Sequence, residues 1–77
     1  MFAKRTSSLS TLIVEVNGEA VELSDGVTLS QLLQQLEITT RHVAVELNLE
    51  IVPFEKHAEC ILVNGDQLEV VTLVGGG

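Results

Sequence analysis

Few side chains in this 77-residue chain can do chemistry. His57 and Cys60 lie three apart, so one helical turn could set a thiol beside an imidazole. A Cys–His nucleophile also needs an orienting group and a pocket. A zinc site needs three or four ligands, and His42 is the only other histidine. Nothing close in sequence supplies either, so His57 and Cys60 are expected to be ordinary loop residues. Glu46 with Glu50, and Glu55 with Glu59, form carboxylate pairs. Acid–base work needs a concave site, and a domain this small with one filled core has little room for one. No catalytic residue, no metal site and no bound cofactor is expected.

The remaining chemistry sits at Gly75-Gly76-Gly77, after Val74. Glycine adds nothing to a core, but it fits where a side chain would clash. Gly75 and Gly76 are therefore expected to be a thin, flexible lead that carries the Gly77 carboxylate into another protein's channel. The bland alternative is a frayed end. A carboxylate has a pKa near ~3.5 and is a poor electrophile when ionised. An ATP-using enzyme could activate it as an acyl-adenylate. A sulfur nucleophile could then displace AMP, giving an acyl disulfide or a thiocarboxylate.

A domain must position that lead. Leu12, Val14 and Val16 alternate with Ile13 and Glu15, the period of a half-buried strand. Asn17-Gly18 is a strong two-residue hairpin signal. That loop sets Val14 opposite Val21 and Leu12 opposite Leu23, while Ile13 meets Glu22 and Glu15 meets Ala20; a slip by one residue would break the match. Ser24-Asp25-Gly26 reads as a turn. Thr28 and Gln31 have capping-box spacing, and Val27 with Leu32 can form the staple. Leu29, Leu32, Leu33 and Leu36 make one helical stripe, so a helix over 28–37 should cover the sheet.

His42 to Asn48 alternates again, with Val43, Val45 and Leu47 inward. Ile51-Val52 is stopped by Pro53, which lacks the ladder N–H and fits only an edge. Phe54 to Cys60 suggests one loose helical turn. Asn64-Gly65-Asp66 is a turn, and the strand over 67–74 sends Leu68 and Val70 inward. The expected plan is α+β: one helix over one face of a small mixed sheet. The expected division is a flexible leader over 1–11, a domain over 12–74 and a flexible glycine tail over 75–77. Val71, Leu73 and Ile13 should face outward, opposite the helix. With Glu15, Glu22 and Glu69 as a rim, they are the expected partner-docking surface.

Composition sets the class. Apolar residues make up 45% of the chain with only two Phe, so the core is aliphatic. The formal charge of −7 argues against nucleic acid, which needs a basic footprint, and suits a soluble protein that docks on a basic surface. One cysteine allows no internal disulfide and fits a reducing compartment; the expected location is cytoplasmic. No apolar run approaches a membrane span.

Several pieces, in order, resemble the ThiS family of sulfur carriers of thiamine biosynthesis. They are Val16-Asn17-Gly18-Glu19, Val43-Ala44-Val45-Glu46-Leu47-Asn48 with Ile51-Val52-Pro53, Gly65-Asp66 with Glu69 and Val70, and Val74-Gly75-Gly76-Gly77. The middle stretch best separates that family from the related molybdopterin-synthase small subunit. The resemblance implies a β-grasp, ubiquitin-like fold. It implies that Gly77 is adenylated by an E1-like adenylyltransferase using ATP and magnesium. Sulfur then arrives by a cysteine desulfurase or sulfurtransferase route, and the thiocarboxylate donates it to thiazole synthase. Gly75 is a third glycine beyond the family's usual pair, and the leader is longer than the family needs. Other readings are a carrier for molybdopterin or tRNA thiolation, a ubiquitin-like protein modifier, or a plain interaction domain.

Overall fold

The computed structural model describes residues 11–38 and 42–73. Five strands form one mixed sheet: β1 Thr11–Val16, β2 Glu19–Ser24, β3 Val43–Leu47, β4 Glu50–Ile51 and β5 Gln67–Thr72. Their order across the sheet is β2-β1-β5-β3-β4. β1 starts at Thr11, one residue inside the expected leader. β1 and β2 pair antiparallel in the expected register, with Leu12 opposite Leu23 and Val14 opposite Val21. β5 lies between β1, to which it is parallel, and β3, to which it is antiparallel.

Helix α1 (Leu29–Gln35) crosses one face. The Thr28 hydroxyl accepts the Gln31 N–H at 3.2 Å, and the Gln31 side chain accepts the Thr28 N–H at 2.9 Å, so two otherwise orphaned donors are satisfied. The helix ends sooner than its pattern suggests. Glu37 turns left-handed (φ +62°), its N–H bonds the Gln34 carbonyl at 3.0 Å, and the Ile38 N–H bonds the Leu33 carbonyl at 2.9 Å. That is a Schellman ending, with Glu37 where glycine is usual.

Leu29, Leu32 and Leu33 are fully buried, against Leu12, Val14, Val16 and Leu23 of the hairpin, Val45, Leu62 and Leu68. At roughly 1.5–3 kcal/mol per side chain, this aliphatic cluster is the main force holding the helix to the sheet. A short 3-10 helix (Phe54–Glu59) follows Pro53, and Leu62 returns the chain to the core. One helix over a five-stranded mixed sheet, with the last strand central, is the β-grasp arrangement. No helix among the described residues is long and apolar enough to cross a membrane.

Candidate functional site

The site to be positioned is the end of β5, from which the chain runs on toward Gly77. Gly75, Gly76 and Gly77, with Val74, lie outside the described residues, so the tail expectations stand on sequence. The strand that leads to them is held at two points, its start and Val70, by asparagine side chains. At its start, the Asn48 Oδ1 accepts the Gln67 N–H at 3.0 Å, and the Asn48 Nδ2 donates to the Asp66 Oδ1 at 3.0 Å. Asp66 is buried, and its other oxygen accepts the Val63 N–H at 2.8 Å. Farther on, the Asn17 Oδ1 accepts the Val70 N–H at 2.8 Å while its Nδ2 donates to the Val70 carbonyl at 3.2 Å. Asn17 thus extends the β1–β5 ladder past the end of β1. The Leu73 N–H bonds the His42 carbonyl at 2.7 Å. The chain therefore stays paired up to the last described residue.

Val71 and Leu73 are exposed on the face opposite the helix, as expected, and so is Ile13. The three do not form one patch. Glu15 pairs with Gln67 in the parallel β1–β5 ladder. Ile13 lies two residues before that pair and Val71 four residues after it, an offset of about six residues or ~20 Å along the strands. The expected rim divides as well: Glu22 sits opposite Ile13, whereas Glu69 is two residues from Val71 on the same face. Ala44, opposite Val71, completes the apolar end beside the tail. Between the two ends runs an acidic belt, in which Glu46 and Glu69 face each other directly across β3 and β5. Sequence alone could not separate the ends, because it does not fix the direction in which β5 joins β1.

His57 is not an ordinary loop residue. It is 3% exposed, and its ring stands edge-on to Phe54 with centroids 5.6 Å apart. Its Nε2 lies 3.0 Å from the Val52 carbonyl; a carbonyl only accepts, so Nε2 carries the proton. Its Nδ1 is buried without a partner. The imidazole pins the 3-10 helix to the segment after β4. Cys60 is half-buried, and burial first, then the Asp66 carboxylate, pushes its thiol above the ordinary value. That is the opposite of an activated nucleophile. No group of three or more metal-ligating side chains forms among the described residues.

Sequence reasoning passed over Leu49. It is 89% exposed and left-handed (φ +75°) in the two-residue turn between β3 and β4, after Asn48 (φ +51°). The available signal was the two-residue gap between alternating Val43–Leu47 and Glu50-Ile51, with Asn in its first position.

The chain matches the model of the ThiS family over residues 9–77. It is 34% identical over 61 residues to the sulfur carrier protein ThiS of Escherichia coli (strain K12), covering 79% of this chain and 92% of that one. It is 45% identical over 62 residues to a thiazole synthase of Paramagnetospirillum magneticum, covering 80% of this chain but 19% of the relative, so it spans about a fifth of that protein's length. Its fold is similar to the crystal structure of the thiamine biosynthesis protein ThiS from Geobacter metallireducens, with a TM-score of 0.75 at 28% identity over 86% of this chain and 100% of that one. With a family match running from before β1 to Gly77, and a β-grasp sheet beneath it, the chain belongs to the ThiS family.

Proposed function

We propose that this protein is a sulfur carrier for thiazole formation in thiamine biosynthesis, with Gly77 as the loaded residue. The observation that carries the reading is the family match, which continues through the glycine tail. The similarity to a ThiS carrier over nearly its whole length supports carriage of sulfur, and the similarity to part of a thiazole synthase supports delivery to that enzyme. The protein acts as a substrate of other enzymes rather than as a catalyst.

The Gly77 carboxylate attacks the α-phosphorus of ATP on an E1-like adenylyltransferase with magnesium, and pyrophosphate leaves. A sulfur nucleophile from a cysteine desulfurase or sulfurtransferase attacks the acyl carbon, and AMP leaves. Sulfide gives the thiocarboxylate directly. A protein persulfide gives an acyl disulfide, which a second thiol reduces to the thiocarboxylate. The contribution of this chain is reach and alignment. The staple at Asn17 fixes β5 at Val70, and the Leu73 N–H is held by the His42 carbonyl, so the described chain is anchored up to Leu73. Three extended residues beyond Val74 span ~10 Å, and a misplacement of about 1 Å at a reacting carboxylate can cost ~100-fold in rate. Val71 and Leu73 form the activating enzyme's contact at the tail; Ile13, at the other end of the sheet, takes no part in it.

The test is intact-mass analysis of the C terminus after incubation with the cognate adenylyltransferase, ATP, magnesium and a sulfur donor. The mass gain of one sulfur in place of one oxygen is expected. Deleting Gly77 should leave the melting curve unchanged and lower pyrophosphate exchange at least ~10-fold. Full exchange after that deletion would move the working end away from the tail.

A further inference from the structure

Leu49 combines two unfavourable features. A left-handed backbone costs a non-glycine residue, and an aliphatic side chain 89% exposed gains nothing from the core. Such an outlier persists where its surroundings over-determine it, and here they do. The Asn48 N–H bonds the Gln67 carbonyl at 2.7 Å, and the Asn48 side chain holds both Gln67 and the buried Asp66. Leu49 is therefore displayed on a rigid mount. Beside it on the outer face lies a shallow hollow of ≈ 240 Å³ lined by Glu15, Glu46, Gln67 and Glu69. Glu46 and Glu69 are directly opposed across the ladder, an arrangement of like charges that disfavours the isolated domain.

We propose that Leu49 and this acidic hollow form a docking contact for thiazole synthase, whose complementary surface presents an apolar socket for Leu49 rimmed by lysine or arginine. The inference rests on the sulfur-carrier reading and adds to it a specific surface. Charge complementarity selects the rim: a chain of formal charge −7 with three glutamates around one exposed leucine is matched by a basic border. The partner is chosen because a stretch similar to this chain forms part of a thiazole synthase in Paramagnetospirillum magneticum. Position fits a delivery complex. Asn48 bonds Gln67, and Leu73 lies six residues farther along β5, ~20 Å away. Docking at Leu49 grips the domain by the end remote from the tail and leaves the Gly77 end free to enter the acceptor's pocket.

The experiment measures affinity of the full chain for purified thiazole synthase by calorimetry at fixed salt, with thermal melts alongside. Leu49→Gly suits the positive φ, so its melting temperature should rise by about 4 °C while affinity falls at least ~10-fold. The double change Glu46→Gln with Glu69→Gln should also weaken binding and flatten its salt dependence, whereas Glu59→Gln on the 3-10 helix should change neither. Leu49→Gly binding as tightly as the unaltered chain would overturn the inference and leave the carrier reading intact. Loss of affinity for the adenylyltransferase alone would overturn it too, by giving the knob to another partner. No binding by the unaltered chain would remove thiazole synthase from the functional reading, and this inference with it.

Discussion

Two hairpin loops flank the central strand, and they differ at one position. Asn17-Gly18 joins β1 to β2, and Asn48-Leu49 joins β3 to β4. All four residues are left-handed, with φ of 52° and 86° in the first loop and 51° and 75° in the second. In both, the asparagine side chain reaches across to β5, Asn17 to Val70 and Asn48 to Gln67. The first position therefore has the same task on both sides, which is to staple the strand that bears the tail. Only the second position diverges. Glycine there relieves the backbone; leucine there costs stability and displays an apolar group. Turn geometry and turn residue thus answer to different demands, the geometry to β5 and the residue to whatever meets the turn from outside.

Substitution at either position tests the equivalence of the two loops. Asn48→Ala should cost the most, ~3 kcal/mol in urea denaturation, because it removes two side-chain bonds, one of them to the buried Asp66 carboxylate, and places alanine at positive φ. Asn17→Ala should cost less, ~2 kcal/mol, since both its bonds to Val70 are solvent-exposed. Equal losses would mean that Asp66 is satisfied without Asn48. Gly18→Leu should cost ~1 kcal/mol from backbone strain alone, because a Cβ at Gly18 meets nothing within 4 Å. A much larger loss would show that the two loops are not geometric equivalents. Leu49→Gly should have the smallest effect on stability and the opposite sign, a gain of ~0.5–1 kcal/mol. A loss on that change would give Leu49 a structural task and weaken its reading as a displayed knob.

Much of the fold was legible because local signals agreed with one another. The alternation from Leu12, the Asn17-Gly18 turn and the pairing of Val14 with Val21 each implied the others, and the observed register matches. Thr28 and Gln31 announced the helix, and Pro53 announced that β4 ends at an edge. What sequence hid was non-local. No pattern within β1 or β5 states that they run parallel, yet that pairing places Ile13 ~20 Å from Val71 and divides the expected surface. His57 looked polar and idle, but it is buried, with its Nε2 on the Val52 carbonyl and its ring edge-on to Phe54. Leu49 and Glu37 were missed because neither is a residue that turn statistics favour at positive φ.

The sheet order also governs how the protein is made. β5 is the last of the five described strands to be synthesised, yet it is the one that joins the β1–β2 hairpin to the β3–β4 hairpin. A nascent chain shorter than residue 67 holds two hairpins and a leucine-striped helix with no strand to unite them, and a two-stranded hairpin alone is marginal in water. Folding therefore waits for synthesis of the segment next to the tail. Long-range contacts of this kind also make folding slower than local ones would. A prematurely terminated product lacks the strand that completes its own core and stays open to proteolysis. Folding and possession of the tail-bearing strand thus become one event, and a product truncated before β5 has no completed sheet.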